Sequence, residues 1–263
     1  SMETAACDEE YEPSSEYDSS FALQIFAARE AVFKILAKES LSIHEKLIVI
    51  LDMGSKIQQC INTDEYDNIK SVVNDYLKEG IAHTLDETRN LSDSGQFEDI
   101  SLQQGIRQIL YPYEEMEVLN PEWEVILKDI IDSLFEQMSD EEYNILNEEF
   151  GTYMVSRAYE YRQLLEYLVF RYFAKSIYDY DFLGKCQMLV TNFFVIRQMD
   201  IIRWLDNHRE YSFKDRMDVV HIFSRQVEYS EDNIENLYED FIFDDIFKTD
   251  SLIAILWIDS ENI

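Results

Sequence analysis

Between Glu160 and Phe182 the sequence reads "EYRQLLEYLVFRYFAKSIYDYDF", and at helical spacing its side chains sort into two rows. Leu164, Tyr167, Arg171, Lys175 and Tyr178 follow one another at steps of three and four. That row sets two cations among phenols, a composition suited to accepting a carboxylate or phosphate group. The other row, Tyr161, Leu165, Leu168, Tyr172 and Phe173, reads as core. The cations also admit a plainer reading, in which Arg and Lys bury their stems along a packed helix and leave their heads in water. Glu166 has Arg162 four residues away, or Arg197, Arg203 and Arg225 on other helices, as partners.

Other chemistry-bearing residues form no constellation. His44, His83, His208 and His221 share no metal-ligand spacing, and His221, within "RMDVVHIFSRQVEY", reads as a hydrogen-bonded core residue. Cys7, Cys60 and Cys186 are far apart. They suggest neither a zinc site nor a disulfide framework, and read as buried or idle thiols of a reducing cytoplasm. There is no nucleophile elbow, phosphate loop, HExxH or GxGxxG. From these residues alone no enzyme is legible.

The net charge of −32 on a chain that is 46% hydrophobic keeps the protein soluble and makes nucleic acid and anionic membranes poor partners. Basic proteins or cations fit better. The cations are unevenly placed: residues 157–225 hold eleven Lys and Arg against nine Asp and Glu, leaving about −34 for the remainder. An anion-accepting pocket or a balanced interior surface would sit there.

The elements that must position these residues are helices. Six glycines and three prolines in 263 residues are too few turn formers for a β-rich chain, and the pattern predicts an all-α globular array of about ten helices. Residues 1–20, with seven acidic side chains and no basic one, read as a flexible acidic lead-in. The opening Ser-Met reads as a tag remnant, and the abrupt start as that of a piece of something longer. Residues 21–110 and 111–263 are expected to form two helical subdomains packed together. Phe21, Ile25, Val32 and Leu36, with Phe33 beside them, mark a first amphipathic helix, and Ser42 with Glu45 a capping box opening a second. A third should run through "EYDNIKSVVNDYLKEG" with Gly80 as its stop, and "LSDSGQFED" should be a loop. Asn120-Pro121 and Ser139-Asp140-Glu141-Glu142 read as helix starts, the first with Trp123, Ile126, Leu127, Ile130, Ile131 and Leu134 inward. Later helices are expected over 153–178, 182–207, 213–229 and 231–247, the last two capped by Ser212 and Ser230. Arg197 and Asp200 interrupt the most apolar stretch, which makes it a buried helix rather than a membrane span.

The succession "EYRQLLEYLVFRYFAKSIYDYDFLGKCQMLVTNFFVIRQMDIIRWL" and then "VVHIFSRQVEYSEDNIENLYEDFI" resembles the C-terminal region of the bacterial flagellin lysine N-methylase family. An E-x-Y-L-x-x-x-x-F segment precedes a long apolar helix and an F-S-R-x-x-E element, here Phe223-Ser224-Arg225 with Glu228. "LQIFAAREAVFKIL" and "IHEKLIVILDMGSKIQ" resemble its middle region. Two departures stand out: the family's cysteine-rich N-terminal part is absent, and Tyr229 follows Glu228 where the family has His. The resemblance implies a cytoplasmic, helical part of a protein that moves methyl groups from S-adenosylmethionine to flagellin lysines, with the iron–sulfur or metal centre outside this chain, which itself shows no cofactor motif. It implies flagellin as partner; the candidate substrate-binding residues are Glu166, Tyr167, Arg171, Tyr172, Lys175 and Arg225, and an enzyme reading places the acceptor lysine near Tyr167, Tyr172 and Glu166 and predicts S-adenosylmethionine binding by this chain alone. The competing expectation is a non-enzymatic acidic helical module for another basic protein.

Overall fold

The computed structural model describes residues 19–261, and every regular element within them is helical. Thirteen α-helical segments are linked by short 3-10 and π turns into ten uninterrupted runs. In order these are α1 (Ser19–Leu36), α2 (Ile43–Asn62), α3 (Ile69–Asp75), α4 (Ile81–Asp93), α5 (Leu102–Glu114), α6 (Pro121–Ile130) and α7 (Asp140–Met154). They continue with α8 (Ala158–Tyr172), α9 (Ser176–Asp179), α10 (Phe182–Asp206), α11 (Phe213–Phe223), α12 (Glu231–Phe243) and α13 (Thr249–Glu261).

Helix α10 is the axis. Twenty-one of its 25 residues are buried, the pattern of a helix enclosed on all sides rather than one lying on a surface. Around it pack α2, α5, α6, α8 and α11, with α12 and α13 completing the sheath. The final helix α13 also lies along α2, so one apolar cluster runs from Phe21 to Trp257. Residue 110, where the sequence was divided, falls inside α5, whose neighbours include α7, α10, α12 and α13. The acidic lead-in lies outside the described residues apart from its last two, which begin α1.

Local sequence accounts for most helix starts. Ser42, Ser139 and Ser212 each accept the amide three residues on while the acid there bonds back to the cap amide, closing capping boxes. Asn120 accepts the Glu122 amide in front of Pro121, and Ser230 accepts that of Asn233. Gly80 is not a stop. Its φ of −59° is right-handed, and the chain passes through a π turn at Tyr76–Gly80 directly into α4. The side chain of Tyr76, buried and bonded to Asp52, draws this turn onto α2. The polar stretch after Leu91 turns only from Ser94, because α4 extends to Asp93. Expected helix 153–178 is broken by a 3-10 turn at 155–157 and another at 173–175, and 213–229 finishes in a π turn. No helix of the described residues is long and apolar enough to cross a membrane.

Candidate substrate groove

The F-S-R-x-x-E element ends α11 in a π turn, Ser224–Glu228, and such turns commonly re-aim side chains at functional sites. Here it sends Glu228 inward, where it is 7% exposed, and Arg225 outward. The Tyr167 hydroxyl donates to Glu228 Oε2 at 2.8 Å, and Arg171 Nε lies 3.3 Å from the same oxygen. Arg171 Nη2 donates to the Glu228 carbonyl at 3.3 Å, and Nε to the Tyr172 hydroxyl at 3.0 Å. The Lys175 ammonium stands 5.4 Å from the centre of the Tyr172 ring. Burial and then the Glu228 charge push the Tyr172 phenol up to about 12, with Arg171 working against them. Four of the expected site residues, Tyr167, Arg171, Tyr172 and Lys175, are thus brought together, and Tyr167 and Arg171 of these hold the chain's own Glu228. Glu166 stands apart from that cluster's bonds, paired loosely with Arg162 at 3.9 Å.

Arg225 lies elsewhere, on the wall of a groove between α6, α10 and α11. The groove encloses about 630 Å³, within the range of ligand sites. Its apolar lining is Val125, Ile126, Ile202 and Ile222, and its carboxylates are Glu122, Asp129, Asp206 and Asp218, against Arg203 and Arg225. His221 also lines it and is exposed, so the expectation of a core histidine is corrected. On α11 its neighbours Ile222 and Phe223 take the inward positions, leaving residue 221 on the solvent side of the turn. An apolar floor with an excess of carboxylates suits a side chain that has an aliphatic stem and a cationic head.

Two buried polar networks hold the helices that frame this region. In the first, Asp200 of α10 accepts from Tyr161 at 2.6 Å, from Arg216 Nη1 at 2.5 Å, and from the Tyr211 hydroxyl. Arg216 Nε donates to Glu160 at 3.1 Å, and Glu160 also accepts from Arg157 Nε at 2.8 Å. Burial pushes the Asp200 carboxyl up, and Arg216 with the two phenols pulls it part of the way back. In the second, His44 Nε2 is 2.7 Å from Asp259 Oδ2, and Asn147 donates to Asp259 Oδ1 at 2.5 Å. Arg197 Nη2 donates to Asn147 Oδ1 at 2.8 Å, and its Nε is 3.6 Å from Asp259. Burial would raise the Asp259 carboxyl, but Arg197, His44 and Asn147 together hold it well below the usual range. Sequence reading missed His44 and Asp259, which are 215 positions apart and leave no local signal. The groove acids were missed too, two of them on α6 and one each on α10 and α11, with no pattern along the chain that joins them.

A family model described as the FliB lysine N-methylase C-terminal domain matches residues 29–255. The chain belongs to that family. It is a flagellin lysine N-methylase-related protein, as the order of its motifs led one to expect. No curated protein and no solved structure matches it. The residues present do not fit a metal or iron–sulfur centre: among the described residues no three His, Cys, Asp or Glu side chains are arranged to hold an ion. Cys60 and Cys186 are both buried, and burial pushes both thiols up, Cys186 strongly, away from the thiolate that a cluster needs. Nor do Gly54 and Gly105, buried between helices, form a cradle for a nucleoside. A Cβ on Gly54 would meet Cys186 Sγ at 2.5 Å, and one on Gly105 would meet Ile255 Cδ1 at 2.8 Å, so those glycines serve helix contacts.

Proposed function

We propose that this chain is the part of a flagellin lysine N-methylase-like protein that receives the lysine side chain of its protein substrate, in the groove between α6, α10 and α11. The observation that carries the reading is the groove's lining, four carboxylates over an apolar floor, in a member of this family. A lysine stem would lie on Ile126, Ile202 and Ile222 with its ammonium among Asp129, Asp206 and Asp218. Arg203 and Arg225 would keep the site from being uniformly negative, and so favour one cation over a run of them. The overall charge of −32 adds long-range attraction for basic segments, which salt weakens. Methyl transfer itself is assigned to residues beyond this chain.

The test is binding of flagellin from the same organism at low and moderate salt, by wild type and by an Asp129→Asn, Asp218→Asn double variant. Loss of two groove charges should weaken binding roughly tenfold, about 1.4 kcal/mol. Asp86→Asn with Glu87→Gln, an equal charge change on α4, should leave most of the affinity. Equal effects of the two pairs would show diffuse attraction only, as an acidic module for basic proteins would give. Mass spectrometry of flagellin incubated with this chain and S-adenosylmethionine reads the remaining point, and methyl increments would place the chemistry here after all.

A further inference from the structure

On the far side of α10 from the groove's walls, two adjoining cavities open between the α1–α2 connection and the junction of α7 with α8. The inner one, of about 220 Å³, is lined by Ile43, Met154, Val155, Ala158 and Phe193, with His44, Tyr161 and Arg197 at its polar edge. The outer one, of about 240 Å³, shares Ser42, Ile43 and Ala158 with it and adds Lys46, Arg162 and Glu39. Lys46 is 5% exposed. Among the described residues no carboxylate lies within ion-pair distance of its ammonium, and no acceptor bonds it. Arg162, the other cation of this outer cavity, reaches Glu166 only at 3.9 Å.

Lys46 and Arg162 set two cations side by side on the wall of the outer cavity, the Lys46 stem buried and its head reaching water with no acid held against it. The nearby acids do not resolve this. Glu45 is committed to the Ser42 cap, whose amide it accepts at 2.7 Å. Glu166 sits with Arg162, and Glu39 is exposed on the connection. Burial and the charge of Arg162 lower the Lys46 pKa, against the pull of Glu166, Glu39 and Glu45, as expected where the counter-ion is insufficient.

We infer that these adjoining cavities bind a small amphipathic carboxylate, its apolar body against Ile43, Met154, Ala158 and Phe193 and its carboxylate between Lys46 and Arg162. A monoanion with a short aliphatic or aromatic body matches both the volume and the single pair of cations. A dianion such as phosphate would face Glu39 and Glu45 with no apolar wall to gain.

Calorimetric titration of the whole chain with octanoate, octanol and octylammonium tests the assignment. Octanoate should bind, octanol at least roughly tenfold more weakly, and octylammonium more weakly still. Lys46→Gln should weaken octanoate about tenfold while leaving octanol unchanged, and it should not lower the melting temperature, since the ammonium it removes has no acid held against it and Gln keeps most of the stem. Ala158→Leu, which narrows the shared wall, should weaken octanoate and octanol alike. Equal binding of octanoate and octylammonium, or octanoate affinity untouched by Lys46→Gln, would overturn the assignment. None of these outcomes depends on the lysine groove, so the two proposals fail separately.

Discussion

Replacing Asp259 by Asn is nearly isosteric and removes one charge from a place with no solvent access. Asp259 is 0% exposed and Arg197 2%. Leaving a buried cation unpaired costs roughly 3–5 kcal/mol, and the Asn147 bonds to Arg197 that survive, at 2.8 and 3.2 Å, place the expectation near the lower end, about 3 kcal/mol. For a domain of this size that is a fall in melting temperature of roughly 6–12 °C. The acid side supplies a second signature. The folded pKa of Asp259 lies below its unfolded value, so its contribution is complete above the ordinary carboxylate value of about 3.9 and fades as pH falls through the folded value. The difference between wild type and Asp259→Asn, followed by urea unfolding, should therefore be flat above about pH 5 and shrink below about pH 4. Adding Arg197→Met should recover part of the loss, because a neutral pair of similar volume leaves no charge stranded. A single variant that loses less than about 1 kcal/mol, or a difference that does not shrink on acidification, would refute the view that this ion pair is a net support of the four helices it joins.

Gly54→Ala should lose roughly 1–3 kcal/mol from overpacking, since its Cβ would meet Cys186 Sγ at 2.5 Å; Cys186→Ala in the same chain should restore much of it, read by a double-mutant cycle in urea. Glu228→Gln should cost about 1 kcal/mol, the partner Arg171 being 42% exposed at its side chain and able to turn to water; hydrogen exchange at the end of α8 should rise with it. Asn120→Ala should cost about 1 kcal/mol through loss of the cap, while Asn120→Ser, which keeps an acceptor for the Glu122 amide, should be close to neutral in thermal melts.

The helical class was readable because its signals are local: Ser42 with Glu45, Ser139 with Glu142 and Asn120 before Pro121 act within one turn of chain. The family was readable for a related reason, as the order of its helices and the F-S-R-x-x-E element are linear features. Gly80 misled because a right-handed glycine carries no mark in sequence that separates it from a left-handed one, and the Tyr76 contact that bends the chain there comes from α2. His221 misled because an apolar helix says which residue types are inward but not which residue at the edge of the stripe is. The row Tyr167, Arg171, Lys175 left two readings open in sequence, an anion-accepting site or cations packed along a helix, and Tyr167 and Arg171 of that row meet Glu228. That the anion would be Glu228, 61 positions from Tyr167, depends on a π turn for which sequence gives no rule.

The polar residues of α10 have a consequence for uniqueness. A rod surrounded by apolar neighbours could rotate about its axis or slip by a turn with little change in the area it hides. Here Lys185 reaches Asp179 at 2.7 Å, Asn192 accepts from Tyr113 at 2.8 Å, Gln198 accepts from Tyr143 at 2.9 Å, and Arg197 and Asp200 anchor the two networks. These five point to different neighbours, like the wards of a key, so any rotation or slip would strand several of them at once. The central helix therefore has a single permitted setting, which an all-apolar rod of the same length would lack.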